Sequence, residues 1–290
     1  MLERYERYGV TIIPEKNTTI VDGELAIQAV LEDLTPAFDL APHPGMILSL
    51  QTEENRRIMS GVLKKRGGPA GIPSRIVDAY VDELVDFYAS EEHISTLFTG
   101  DLPSYAPYGY LIFIGLFPAE IFPAFLGEEV THGEHWCHHV SDYGMPYEEY
   151  RARFQVLTTE FIGSLGRRTV ANANKVLGKA SNTLLEYPFE DANPTEVRSQ
   201  LAHRIAYVGL DEILRQGKEL PLKALFHAEN EEKLWQLVHE ITRDPVSVHL
   251  ILPQTVKFAS IQENIQELLK TSKADSAISV SLKISQEQSS

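Results

Sequence analysis

The segment Glu128-Glu129-Val130-Thr131-His132-Gly133-Glu134-His135-Trp136-Cys137-His138-His139 contains four of the chain's ten histidines, and the fold around it depends on whether it turns inward. On an α-helix, at about 100° per residue with Glu128 at zero, His132 falls at about 40°, His135 at about −20° and His139 at about 20°. Glu128 and these three imidazoles form one stripe. Glu129 lies beside it at about 100°, His138 on the other flank at about −80°, and Cys137 at the back. Residues one turn apart converge on a common point, and carboxylates with neutral imidazoles suit zinc, iron and manganese.

Histidines also gather on solvated surfaces, where they bind metal adventitiously. The neighbours favour an inward stripe, because Phe122, Phe125, Leu126, Trp136 and Cys137 are of types that usually bury. An inward stripe leaves four ionisable groups in need of partners, and a metal ion supplies them at once. Upstream, Tyr110 to Phe117 has the length and composition of a buried strand. A strand followed by a polar-lined helix is thus the expected centre of the fold.

Working outward, a strand is expected over Gly9 to Pro14 and a helix from Glu24 to Leu34. Pro36, Pro42 and Pro44 then hold the chain extended. A polar helix from about Thr52 to Lys65 ends at the glycine-rich loop of residues 66–73, which reads as a connector, since a phosphate loop would follow a strand and open the next helix with Gly-Lys-Ser/Thr. Ser74 caps a helix with Ile76, Val77, Tyr80, Val81, Leu84 and Tyr88 on one face, and a loop separates it from Tyr110. Pro146 opens a helix with Phe154, Leu157, Phe161 and Leu165 on one face. Asn193-Pro194 starts a helix that runs to Arg215 and stops at Gly217. A helix over Glu231 to Thr242, a strand at Val246 to Leu250 and a helix from Ile261 to Leu269 follow. The expected fold class is α+β, predominantly helical with a small sheet. Residues 1–272 are expected to form a single globular domain around a central metal-binding helix, residues 123–140, with 273–290 an edge strand or a disordered tail.

Composition narrows the function classes. The net charge of −15, from 41 acidic and 26 basic residues, repels phosphate backbones, so nucleic acid is not an expected partner. The single cysteine, Cys137, excludes an intrachain disulfide and a cysteine-based zinc finger. Tyr108 to Leu126 is apolar but carries Glu120 and is interrupted by Pro118 and Pro123, which argues against a membrane span. The N-terminal residues show no secretory pattern, and a cytoplasmic protein is expected.

The strand followed by Glu128-Glu129-Val130-Thr131-His132 resembles the active helix of zincin-type metallopeptidases, whose pattern is His-Glu-x-x-His, with Glu128 in place of the first histidine. By position, the resemblance implies Glu128 and His132 as metal ligands and Glu129 as the base that activates water. The glutamate branch of that family takes a further ligand from a following helix, a role that falls here to Glu160, 28 residues after His132. Two carboxylates and one histidine make a hard, anionic site, so iron and manganese stand beside zinc as the divalent ion. His135 or His139 would orient substrate or complete the shell. The expected function is a metal-dependent, peptidase-like hydrolase acting on a peptide or small molecule.

Glu129-Val130-Thr131-His132 also resembles the Glu-x-x-His pair of four-helix di-iron carboxylate proteins. That resemblance implies an oxygen-activating site, with Asp86 and His93 or Glu196 and His203 as the nearest counterparts of the missing second pair. A binding protein whose histidine helix meets a partner or senses pH is the reading outside catalysis. A lone histidine in an amphipathic helix, such as His203 or His239, reads as a hydrogen-bonded side chain.

Overall fold

The computed structural model describes residues 5–7, 10–13, 32, 34–38, 40–66, 74–90, 94–98, 109–116, 122–173, 194–252 and 258–284. The expected helix from Glu24 to Leu34 lies almost wholly outside these residues, as does the glycine-rich loop after Arg66. The chain is α+β and predominantly helical. It divides into two compact units, one of residues 1–145 with 166–177 and one of residues 146–165 with 178–290.

The first unit is organised by a five-stranded sheet. Its strands are β1 (Tyr5–Arg7), β2 (Val10–Ile13), β3 (Gly45–Ser49), β4 (Ile94–Phe98) and β5 (Tyr110–Ile114), in the order β1-β2-β3-β5-β4. The central strands β3 and β5 run parallel, with Met46 opposite Leu111 and Leu48 opposite Phe113. Every residue of both is buried, as expected for parallel strands covered on two faces. One face, with Met46, Leu48, Leu111 and Phe113, packs on α1 (Glu53–Arg66) and α2 (Ser74–Ser90) through Met59, Val62, Leu63, Val81, Val85 and Ala89. Buried Asn55 ties the start of α1 to the sheet, its amide donating to the Ser49 carbonyl at 2.7 Å.

Because side chains alternate along a strand, Tyr110, Ile112 and Ile114 point to the opposite face, where α3 (Phe122–Trp136) lies. The Tyr110 ring is wedged between two glycines. A Cβ at Gly133 would lie 2.6 Å from the ring, and one at Gly45 would lie 2.8 Å from the hydroxyl oxygen. These glycines let the helix and the neighbouring strand approach a large buried aromatic.

The structure differs from the sequence reading in three places here. The stretch expected as a loop before Tyr110 contains β4, which is antiparallel to β5 and ends the sheet order among the described residues. The strand expected to reach Phe117 ends at Ile114. The helix expected over 123–140 ends at Trp136 and continues as a π-helical turn, Cys137–Asp142, with Tyr143 N–H donating to the His138 carbonyl at 3.2 Å. Such i to i+5 winding changes the angular step, so the sequence angles do not carry over to His138 and His139.

The second unit contains α4 (Tyr147–Arg153), the first part of α5 (Val156–Ala173), α6 (Pro194–Arg215), α7 (Leu222–Phe226), α8 (Glu231–Thr242), β6 (Val246–Leu252), α9 (Phe258–Thr271) and β7 (Ile278–Ile284). Strands β6 and β7 pair in parallel, joined through α9. The helix expected to run from Pro146 through Leu165 is two helices, because Phe154 takes φ −94° and ψ 81°. Buried Glu231 then accepts from the Leu157 N–H at 2.7 Å, satisfying a free donor at the new helix start. The core is built on Leu157, Phe161, Ile162, Leu201, Ile205, Leu234, Trp235, Val248 and Leu250. Among the described residues no helix is long and apolar enough to cross a membrane.

Candidate metal centre

Helix α3 is buried almost all round. Its apolar residues Phe122, Leu126, Val130 and Trp136 and its glycines Gly127 and Gly133 leave no solvated face, so Glu128, Glu134 and His135 go into the interior with them. Each then needs a partner, since a buried charge without one costs several kcal/mol, order of magnitude.

Glu128 is 4 % exposed and meets Arg167 of α5, whose guanidinium Nη2 donates to Oε2. Arg167 in turn lies over the Phe125 ring, 3.9 Å from its centroid. The other carboxylate oxygen, Oε1, lies 4.0 Å from His132 Nε2, one turn along the same helix. That gap is too long for a hydrogen bond. Two ligand atoms of one tetrahedral ion lie about 3.4 Å apart at bond lengths of about 2.1 Å, so this pair would have to close by roughly half an ångström to share an ion. Half-buried Glu129 points to the sheet edge, where its Oε2 accepts from the Thr96 hydroxyl on β4. The two adjacent glutamates thus face different surroundings.

The remaining stripe residues are packed on each other. His135 and His139 meet edge to face with ring centroids 4.7 Å apart, and His138 and His139 do so at 5.0 Å. All three are buried. Glu160, of the second unit, has a partner there: Oε2 lies 2.8 Å from His203 Nδ1, and Oε1 accepts from the Ser199 hydroxyl at 3.4 Å. His203, read from sequence as an ordinary hydrogen-bonded histidine, is thus paired with a carboxylate that the resemblance casts as a ligand. Both units carry buried or half-buried side chains of the kinds that could hold a metal ion, Glu128 in the first and Glu160 with His203 in the second.

A second network on α3 has no counterpart in the sequence reading. Glu134, 1 % exposed, accepts from the His43 backbone N–H through both oxygens at 3.1 Å, and Oε2 lies 2.7 Å from His43 Nδ1. The Tyr110 hydroxyl donates to its Oε1 at 3.4 Å. Burial, with the Glu134 charge behind it, keeps the Tyr110 hydroxyl protonated well above its ordinary range. The other ring nitrogen of His43, Nε2, lies 3.0 Å from Asp142 Oδ2 at the end of the π-turn. The one signal in the sequence was the setting of His43 between Pro42 and Pro44, which fixes an extended backbone but names no partner.

Cys137 is fully buried, and burial, then the charges of Glu134 and Asp142, push its thiol up. A thiol-specific alkylating reagent is therefore expected to leave it unmodified in the folded protein and to label it in denaturant. Rapid labelling of the native protein would contradict this placement.

No family model, curated protein or solved structure matches the chain.

Proposed function

We propose that the chain is a metal-dependent hydrolase with a divalent ion, zinc, iron or manganese, at the Glu128–His132 pair of α3. The one-turn spacing of buried Glu128 and half-buried His132 carries this reading, since their Oε1 and Nε2 lie 4.0 Å apart and a closure of roughly half an ångström would bring both onto one ion. Arg167 offsets part of the carboxylate charge and holds Glu128 in one orientation. A bound divalent ion supplies Lewis acidity and an acidified water there. Glu129 is the base that the zincin resemblance implies, and to take the water's proton its carboxylate would turn from Thr96 toward the ion. Thr96 belongs to β4, which lies at one end of the sheet order and pairs with β5. An extended peptide that adds to such an edge would pass beside Glu129, which favours a peptide-like substrate.

Metal analysis of protein purified without a histidine tag tests the reading. About one equivalent of zinc, iron or manganese is expected in the wild type, with most of it lost in His132→Ala. Glu129→Gln is expected to keep the metal and lose about 10²- to 10⁴-fold of hydrolysis of a fluorogenic peptide library. A wild-type preparation without metal, and without thermal stabilisation by any of the three ions, would overturn it. Two irons per chain would favour an oxidase instead.

A further inference from the structure

We propose that His43 is a pH-operated clamp on the π-helical turn: as an imidazolium it bridges Glu134 and Asp142 and holds residues 137–142, and on losing its Nε2 proton to solvent it releases Asp142. The inference does not depend on the Glu128–His132 reading, because neither residue takes part in the clamp.

The geometry carries the argument. Ionised carboxylates only accept hydrogen bonds, and both ring nitrogens of His43 face carboxylate oxygens, Nδ1 at 2.7 Å and Nε2 at 3.0 Å. Burial raises the Glu134 carboxyl, and the His43 bonds and charge pull it back; with both carboxylates ionised, the two bonds require both nitrogens to carry a proton, which makes the ring a cation. The two carboxylates lie in unlike places: Glu134 is in the interior of α3, whereas the Asp142 side chain is 50 % exposed at the end of the π-turn. The Glu134 side is held further by the His43 backbone N–H and the Tyr110 hydroxyl. The first proton to leave is therefore the Nε2 proton beside solvent, after which a lone pair faces the Asp142 oxygen and the attraction becomes repulsion.

Among the described residues, the titratable groups around the ring come from α3, β5 and the π-turn. Glu134 lies on α3. Tyr110 on β5 meets the other Glu134 oxygen. On the π-turn, Asp142 is the direct partner, His138 Nδ1 lies 3.8 Å from the same Asp142 oxygen, and the buried Cys137 thiol is the last of the groups among the described residues. The segment carrying His43, residues 40–44, has no other titratable side chain. Burial lowers the imidazole's proton affinity, but the Glu134 and Asp142 bonds and charges outweigh it and hold His43 above its ordinary value of 6.5. A group raised in the folded state contributes stability that is complete below its unfolded value, here about 6.5, and lost as pH rises through the folded value. The clamp is thus closed below about 6.5 and opens as the pH rises through the raised value of the folded state.

The π-turn is the element that responds, because Asp142 is its last residue and the buried rings of His138 and His139 are carried on it. Imidazole NMR titration and amide hydrogen exchange on the full chain test the proposal. The His43 ring is expected to titrate above 6.5 in the wild type and lower in Asp142→Asn, an exposed substitution that leaves the core intact. Corrected for the intrinsic pH dependence of exchange, protection of residues 138–145 should fall across the same pH interval in the wild type. It should show no such step in His43→Gln or Asp142→Asn. A His43 ring titrating at or below 6.5, or a π-turn whose protection ignores the titration, would overturn it.

Discussion

Arg167→Ala is expected to destabilise the first unit by about 3–5 kcal/mol, the range for removing one partner of a buried ion pair. Arg167 and Glu128 have side chains only 3 % and 6 % exposed, so solvent cannot screen the carboxylate left behind. The loss would also take the guanidinium off the Phe125 ring. Each unit holds one of the chain's two tryptophans, Trp136 and Trp235. Urea unfolding followed through Trp136, with Trp235 replaced by phenylalanine, therefore reads this unit. Charge burial, rather than lost packing, makes a second demand on the result. The double variant Arg167→Met with Glu128→Met removes both charges and should recover most of the stability, since apolar replacement of a buried pair is often neutral. If the double variant were as unstable as the single one, the pair would be acting through packing instead.

Gly166→Ala should also cost about 2 kcal/mol or more, although alanine is the better helix former by about 1 kcal/mol. Gly166 is where α5 crosses α3: a Cβ there would overlap the Gly127 carbonyl oxygen and the Thr131 hydroxyl. Reciprocally, a Cβ on Gly127 would lie 3.2 Å from the Gly166 carbonyl oxygen. Backbone atoms cannot swing aside as a flexible side chain can, so overlap outweighs propensity. The crossing also sets Arg167, the next residue, against Glu128. Gly61→Ala on α1 is the control, since a Cβ there meets nothing within 4 Å. It should stabilise by about 0.5–1 kcal/mol. Urea midpoints shifted in opposite directions, with the fall in Gly166→Ala larger than the rise in Gly61→Ala, would support the argument; a neutral Gly166→Ala would show that the helices can separate at no cost.

Several elements could be read from local signals. The helix expected from Pro194 to Arg215 has those bounds, and Gly217 takes φ +68° beyond its end, a conformation that glycine adopts without a Cβ penalty. The helix over Glu231 to Thr242 likewise begins after a capping residue, with Asn230 accepting from the Lys233 N–H. Tyr110 to Ile114 declared a buried strand by its apolar run. In each case the cause lies within a few residues of the effect.

The histidine segment shows where that stops. Spacing alone put Glu128 and His132 one turn apart on a helix, and the apolar neighbours implied that it is buried. Only the tertiary structure decided what each charge meets: Arg167 lies 39 residues beyond Glu128, Thr96 lies 33 before Glu129, and His43 lies 91 before Glu134. It also decided the π-turn after Trp136 and the break at Phe154, where the Glu231 carboxylate, 74 residues away, serves the new helix start at Leu157. Helical periodicity follows from the residues' own backbone preferences. The partner of a buried charge is chosen by whichever distant element the sheet and the α3–α5 crossing bring against it, and nothing in the local sequence encodes that neighbour.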